Sequence, residues 1–161
     1  MKKFILFIAV FWLSLNVQAH GFDYSVVTFT EQDNNTWSLQ IKSSLDAFRK
    51  EVKMHFSDTP YTTPEEFNQQ VLAHLNKTLQ VTVKGNVISL GKGTVYLGHE
   101  TSVLFTEVKI PANTAAVKVV NGAVKDIYRH TTKLFVAPNG VPKSSYILNQ
   151  SNHFTAECKV Q

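Results

Sequence analysis

Short runs of alternating polar and apolar residues, bounded by turn-forming residues, recur along most of this 161-residue chain. The clearest run is 37–42, in which Trp37, Leu39 and Ile41 share one face. Because successive side chains of a strand point to opposite faces, this pattern predicts a strand with one side on a hydrophobic core. Turn-forming residues separate it from the Val- and Phe-rich segment 22–31, so we expect the two segments to form a hairpin.

More segments rich in β-branched and aromatic residues follow between residue 79 and the end of the chain. Gly, Asn and Pro separate them, and Pro-Asn-Gly at 138–140 predicts a hairpin between 131–137 and 141–148. Many short strands with frequent turns favour an antiparallel, immunoglobulin-like β-sandwich of about eight strands.

Two helices are predicted between the second and third strands. Apolar residues recur at helical spacing from Leu45 to Val52, which predicts a short helix ending near residue 53. A second helix begins at Thr63, which can cap it. Pro64 suits the first turn, and Glu66 occupies the acidic position of a capping box.

The first nineteen residues have the pattern of a secretory signal peptide. Lys2 and Lys3 precede a short apolar run, and small Ala19 ends the segment. The run is shorter than the roughly twenty residues that a membrane-spanning helix needs. We therefore expect residues 1–19 to be removed, leaving one β-rich domain at 20–161. This domain would be exported to the periplasm or the extracellular space, without a transmembrane segment.

Cleavage after Ala19 predicts that the exported protein begins with His20. Intact-mass analysis or N-terminal sequencing of protein recovered after export measures this directly. Retention of Met1, or a first residue well beyond position 20, would contradict the prediction.

Charge and cysteine content exclude some classes of partner and linkage. The net charge of +4 includes Lys2 and Lys3, and the other basic residues are scattered, so we expect no nucleic-acid partner. The single cysteine, Cys158, has no partner for an internal disulfide. It shares an apolar face with Phe154 and Val160, which favours a buried thiol over a reactive one.

The candidate metal ligand is His20. A free N-terminal histidine can chelate copper through its α-amine and its Nδ1 atom, and a further histidine would complete the site. The alternative is a tolerated residue at a cleavage site that frays with the terminus. His74 flanks the apolar stripe of the second helix and is predicted to be a core or flanking residue rather than a ligand. The further histidines that can complete a site with His20 are His55, His99, His130 and His153.

Sequence signatures of catalysis are missing. The chain contains no Gly-x-Ser-x-Gly elbow and no phosphate-binding glycine loop. His99 and Glu100 lie in a Gly-flanked loop, where exposed residues are expected more often than an acid/base pair. We therefore expect a protein that is not an enzyme.

Several segments match, in order, a pattern shared by one group of secreted bacterial proteins. They are His20 directly after the signal peptide, Tyr-Ser-Val-Val at 24–27, Trp-Ser-Leu-Gln-Ile at 37–41, Leu-Asp-Ala-Phe at 45–48, residues 75–85 and residues 148–152. In these features the chain resembles the uncharacterised family catalogued as domain of unknown function 6702. The resemblance implies a family without an established activity, so no functional residues are carried over.

Two functions stay open at this point. The first is an exported non-catalytic domain that binds a protein, a glycan or another component of the envelope or extracellular space. The second is a small periplasmic copper- or metal-binding protein that uses His20.

Overall fold

The structure is a computed structural model that describes residues 24–33 and 35–161; the expected signal peptide and His20 lie outside these ranges. The described chain is mainly β, with ten strands in two sheets and two α-helices, α1 (Leu45–His55) and α2 (Pro64–Thr78). The strands are β1 (Tyr24–Asp33), β2 (Thr36–Ser44), β3 (Leu79–Val83), β4 (Asn86–Ile88), β5 (Gly93–Tyr96), β6 (Glu100–Lys109), β7 (Ala116–Asn121), β8 (Thr131–Ala137), β9 (Ser144–Leu148) and β10 (Thr155–Lys159).

The two sheets have the strand orders β5-β6-β2-β1-β8-β9 and β10-β7-β3-β4. Both predicted hairpins, β1–β2 and β8–β9, are present and antiparallel. The prediction of an antiparallel arrangement throughout is wrong for one pair, because β1 and β8 are parallel. These strands are far apart in sequence, so no tight turn fixes their relative direction. The count exceeds the predicted eight, and it includes the short strands β4 and β5 of three and four residues.

Both helices lie between β2 and β3, as predicted. The capping box of α2 is confirmed: Glu66 N donates to Thr63 Oγ1 at 3.2 Å, and Thr63 N donates to a Glu66 carboxylate oxygen at 3.3 Å. Helix α1 is capped by Ser44, whose Oγ accepts from Ala47 N at 3.1 Å. It ends at His55, two residues beyond the expected boundary, and therefore places His55 one turn after Glu51.

One hydrophobic core cluster includes side chains from both sheets and both helices. Trp37, Leu39 and Ile41 are buried on one face of β2, as the alternation predicted. The Trp37 ring stacks on Phe29 of β1 with centroids 4.5 Å apart. Cys158 is fully buried in the same cluster, which confirms the structural interpretation of this thiol.

Residues 122–130, here called the β7–β8 segment, form a series of turns. Asn121 anchors its start by donating to Thr132 Oγ1 at 2.9 Å and accepting from Ala123 N at 3.2 Å. Val124 and Ile127 then pack on Ala47 of α1 in a small buried cluster. These contacts fix the segment against α1. Among the described residues, no helix has the length and apolar character needed to cross a bilayer.

Candidate metal centre

A cluster of ionisable side chains lies where α1, α2 and the β7–β8 segment meet. Glu51 and His55 come from successive turns of α1, and His74 comes from α2. The Oε2 atom of Glu51 lies 3.4 Å from His55 Nε2 and 3.5 Å from His74 Nε2. One potential ligand atom from each residue falls within 4.8 Å of the other two. We call Glu51, His55 and His74 the Glu-His-His cluster.

Glu51 is fully buried, and neither carboxylate oxygen forms a hydrogen bond of good geometry within the described residues, although the backbone N–H of Asp126 is near. Burial raises the pKa of Glu51 to about 7, and the negative charge of Asp126 adds to this rise. His55, the nearby backbone N–H of Asp126 and Lys125 oppose the rise. A buried carboxylate without hydrogen bonds is costly to ionise. The protein alone therefore does not provide a favourable environment for this charge.

His74 is almost fully buried, and its ring lies beside that of His55, with centroids 4.8 Å apart. Its Nε2 lies 2.7 Å from the carbonyl oxygen of Ala123. Because a carbonyl can only accept, Nε2 carries the proton in this arrangement. Burial is the main cause that lowers the pKa of His74, so the imidazole is neutral near pH 7.

His55 closes the cluster on its solvent side. Its Nε2 lies 2.8 Å from Asp126 Oδ2, and both side chains are more than one-third exposed. Asp126 and Ala123, the partners of the two imidazoles, both belong to the β7–β8 segment. This segment therefore determines how both histidines are held.

Two of the three spacings between potential ligand atoms match those around a small divalent cation. In a tetrahedral zinc site with bonds of about 2.1 Å, neighbouring ligand atoms are about 3.4 Å apart. The distances from Glu51 Oε2 to the two Nε2 atoms, 3.4 and 3.5 Å, already have this value. For both histidines to bind through Nε2, the proton on each Nε2 must leave or move to Nδ1, and the bonds to Ala123 and Asp126 must be released. Asp126 lies beside His55 and is more than one-third exposed.

The cluster includes only some of the residues that the sequence singled out. His55 is part of it, and His74, predicted to be a core or flanking residue rather than a ligand, is buried. His99 is exposed in a loop, as expected, whereas Glu100 is exposed at the first position of β6. His20 lies outside the described residues, so its chelating role stays a prediction.

Sequence reasoning missed Glu51 and the way in which α2 and the β7–β8 segment complete its surroundings. The available signal was Glu51 and His55 at i and i+4, a spacing that places both side chains on one helix face. That spacing is common on solvent-exposed helices, so it carries little information without His74 beside it.

The remaining candidate nucleophile, Cys158, is unsuited to chemistry. Burial raises the pKa of its thiol to about 12, with a smaller contribution from Glu157. The thiolate is the reactive form of cysteine, so this side chain is inert near neutral pH.

Comparison with known proteins does not assign the chain to a family. No family model matches the chain, and a search of curated proteins returns no significant match. The resemblance to domain of unknown function 6702 thus stays a prediction.

Proposed function

We propose that this chain is an exported, non-catalytic domain that binds one divalent transition-metal ion through Glu51, His55 and His74. The observation that carries the proposal is the Glu51 carboxylate. It is fully buried, forms no hydrogen bond of good geometry within the described residues, and faces two imidazole nitrogens at 3.4 and 3.5 Å.

A buried ion pair explains the cluster less well than a metal ion does. The pKa of Glu51 is raised and that of His74 is lowered, so burial disfavours the charged form of both groups. A bound cation would stabilise the carboxylate and need both imidazoles neutral, which is the state that burial favours for His74.

The ligand chemistry favours Zn²⁺ or Cu²⁺. Imidazole suits these borderline metals, whereas Ca²⁺ and Mg²⁺ prefer sets of oxygen ligands. Thiolate coordination is excluded at this cluster because Cys158, the only cysteine in the chain, belongs to the main hydrophobic core. Glu51 would itself be a ligand, so its carboxylate is not free to act as a general base.

We also propose that the two sheets pack face to face as a sandwich. Helices α1 and α2 would lie at one side of this sandwich and enclose the metal centre there. The shared core supports this arrangement, since it combines residues of both sheets with residues of both helices. Burial of the metal ligands on α1 and α2 would then depend on the same packing that stabilises the domain.

Zinc titration of chelator-treated protein by isothermal calorimetry tests the metal centre. We expect one equivalent to bind to the protein beginning at His20. Replacing an outer-shell partner typically lowers metal affinity by about 10–100-fold, so loss of a ligand in Glu51→Gln or His55→Gln should lower it by at least about 100-fold. His99→Gln, which changes an exposed histidine outside the cluster, is the matched control and should bind like the wild type.

Copper titration of two further forms separates this centre from a terminal chelate. One extra residue before His20 displaces the α-amine from the chelate and leaves the Glu-His-His cluster intact, so binding of the first equivalent should persist. If that form loses binding while Glu51→Gln and His55→Gln retain it, the metal binds at His20 and the proposed centre is wrong.

A further inference from the structure

A cavity of about 850 Å³ lies between the β7–β8 segment and residues 149–154, which connect β9 to β10. Glu51, His55 and His74 do not line it, and Asp126 is its contact with the metal centre. The cavity is therefore a separate candidate site that shares the β7–β8 segment with the metal centre.

The lining of this cavity carries more positive than negative charge. Lys125 and Arg129 are exposed on its wall, and neither forms an ion pair within the part of the chain that the structure describes. Asp126 is the only carboxylate among the described lining residues, and it bonds to His55. A guanidinium and an ammonium together favour an anionic ligand, and the planar guanidinium can bind a carboxylate or phosphate through two parallel hydrogen bonds.

The uncharged lining groups indicate the kind of molecule to which the anionic group belongs. The Tyr128 side chain is 84% exposed, the largest value among the exposed large hydrophobic residues in the described ranges. Asn149, Gln150 and Ser151 contribute amide and hydroxyl groups to the lining, where Asn149 Oδ1 already accepts from Ser151 N and Ser151 Oγ. An aromatic ring offers a flat apolar surface with a polar tip, and a sugar ring has a complementary apolar face edged by hydroxyls.

The backbone of both walls is held in an uncommon conformation. Arg129, His153 and Phe154 have φ values of 59°, 52° and 54°, in the left-handed region that bulky residues rarely adopt. They are three of the seven non-glycine residues with positive φ in the described ranges, so this strain concentrates at the cavity. Hydrogen bonds from Phe154 N to Asn149 O at 2.8 Å and from Asn121 N to Phe154 O at 2.9 Å hold one wall in place. Strain that surrounding bonds maintain is typical of binding sites.

We infer that this cavity binds an acidic saccharide, a sugar that carries a carboxylate or phosphate group. Arg129 and Lys125 bind the anionic group, Tyr128 packs on the sugar ring, and the amides of the lining bond to its hydroxyls. The inference specifies a ligand class for an exported binding domain and does not depend on the metal centre.

Calorimetric titration with oligogalacturonate tests the inference, with its uncharged methyl ester as the matched ligand. We expect the acid to bind at least tenfold more tightly than the ester, because the ester lacks the charge that Arg129 and Lys125 recognise. Arg129→Gln and Tyr128→Ala should each weaken binding of the acid about tenfold, which corresponds to about 1.4 kcal/mol. Lys92→Gln, which removes an exposed positive charge elsewhere, should leave it unchanged. Trp37 emission verifies that each variant is folded.

Further titrations identify the source of the anion and separate this site from the metal centre. A titration with glucose 6-phosphate in place of oligogalacturonate distinguishes phosphorylated from carboxylated sugars. A titration with inorganic phosphate distinguishes binding of a saccharide from binding of a bare anion. Glu51→Gln should bind the saccharide like the wild type, whatever its zinc affinity. Equal affinity for acid and ester, an equal loss in Lys92→Gln, or no binding of either acidic sugar would overturn the inference.

Discussion

Replacing Trp37 by alanine is expected to lower the free energy of unfolding by about 3–5 kcal/mol, the range for truncating a buried large aromatic residue. Trp37 is 2% exposed and stacks on Phe29, and its strand lies between β1 and β6 in the six-stranded sheet. Domains of this size are stable by about 5–15 kcal/mol, so the variant would lose a large part of its stability. Urea denaturation followed by circular dichroism measures the loss.

The matched control for this prediction is Tyr128→Ala, which removes an aromatic ring that is 84% exposed. Surface substitutions usually change stability by less than about 0.5 kcal/mol, so the control should unfold at nearly the wild-type urea concentration. A loss below about 1 kcal/mol for Trp37→Ala would contradict the burial of this side chain.

Glu51→Gln is expected to make the metal-free protein more stable than the wild type above pH 7. The folded pKa of Glu51 is about 7, raised from 4.5, so the folded state binds more protons than the unfolded state between these values. The wild type therefore loses stability as the pH rises through this window, while the glutamine variant stays neutral. Between pH 5 and pH 8 the variant should gain about 2–3 kcal/mol relative to the wild type.

The titration of His74 changes stability with pH in the opposite direction, and His74 is present in both the wild type and Glu51→Gln. Its pKa is lowered from 6.5, so it contributes stability above this pH that is lost as the pH falls and the unfolded histidine takes up a proton. The informative quantity is therefore the difference between the wild type and Glu51→Gln. Urea denaturation of both proteins with chelator at pH 5, 6, 7 and 8 measures it. A stability difference that stays constant over this range would show that Glu51 titrates normally. With excess zinc, the wild type should be the more stable of the two proteins at pH 8.

The local features of this fold follow from the sequence because short-range physics determines them. Alternation alone identifies the buried face of Trp37, Leu39 and Ile41 on β2. The capping box of Thr63 and Glu66 fixes the start of α2 through bonds between residues three positions apart. In each case the interacting residues are neighbours in the chain, so their types and spacing suffice.

The candidate site depends on contacts that the sequence does not encode locally. Glu51 and His74 are on different helices, and their approach depends on how α1 and α2 pack. Asp126 and the Ala123 carbonyl come from a segment about 50 to 70 positions later, anchored on Ala47. The parallel pairing of β1 with β8 was missed for the same reason, since nothing near either strand determines its direction.

The parallel pairing of β1 with β8 has a consequence for how the polypeptide acquires its fold. The hydroxyls of Ser25 and Thr132, one in each strand, lie 2.7 Å apart although 107 positions separate them. When the chain is made from its N-terminus, β1 can pair with β2 at once, but its other edge stays open until residues 131–137 emerge. An open, apolar strand edge is a template for aggregation. Closing so long a loop is also slow, so completion of the larger sheet should be a late step that limits the folding rate.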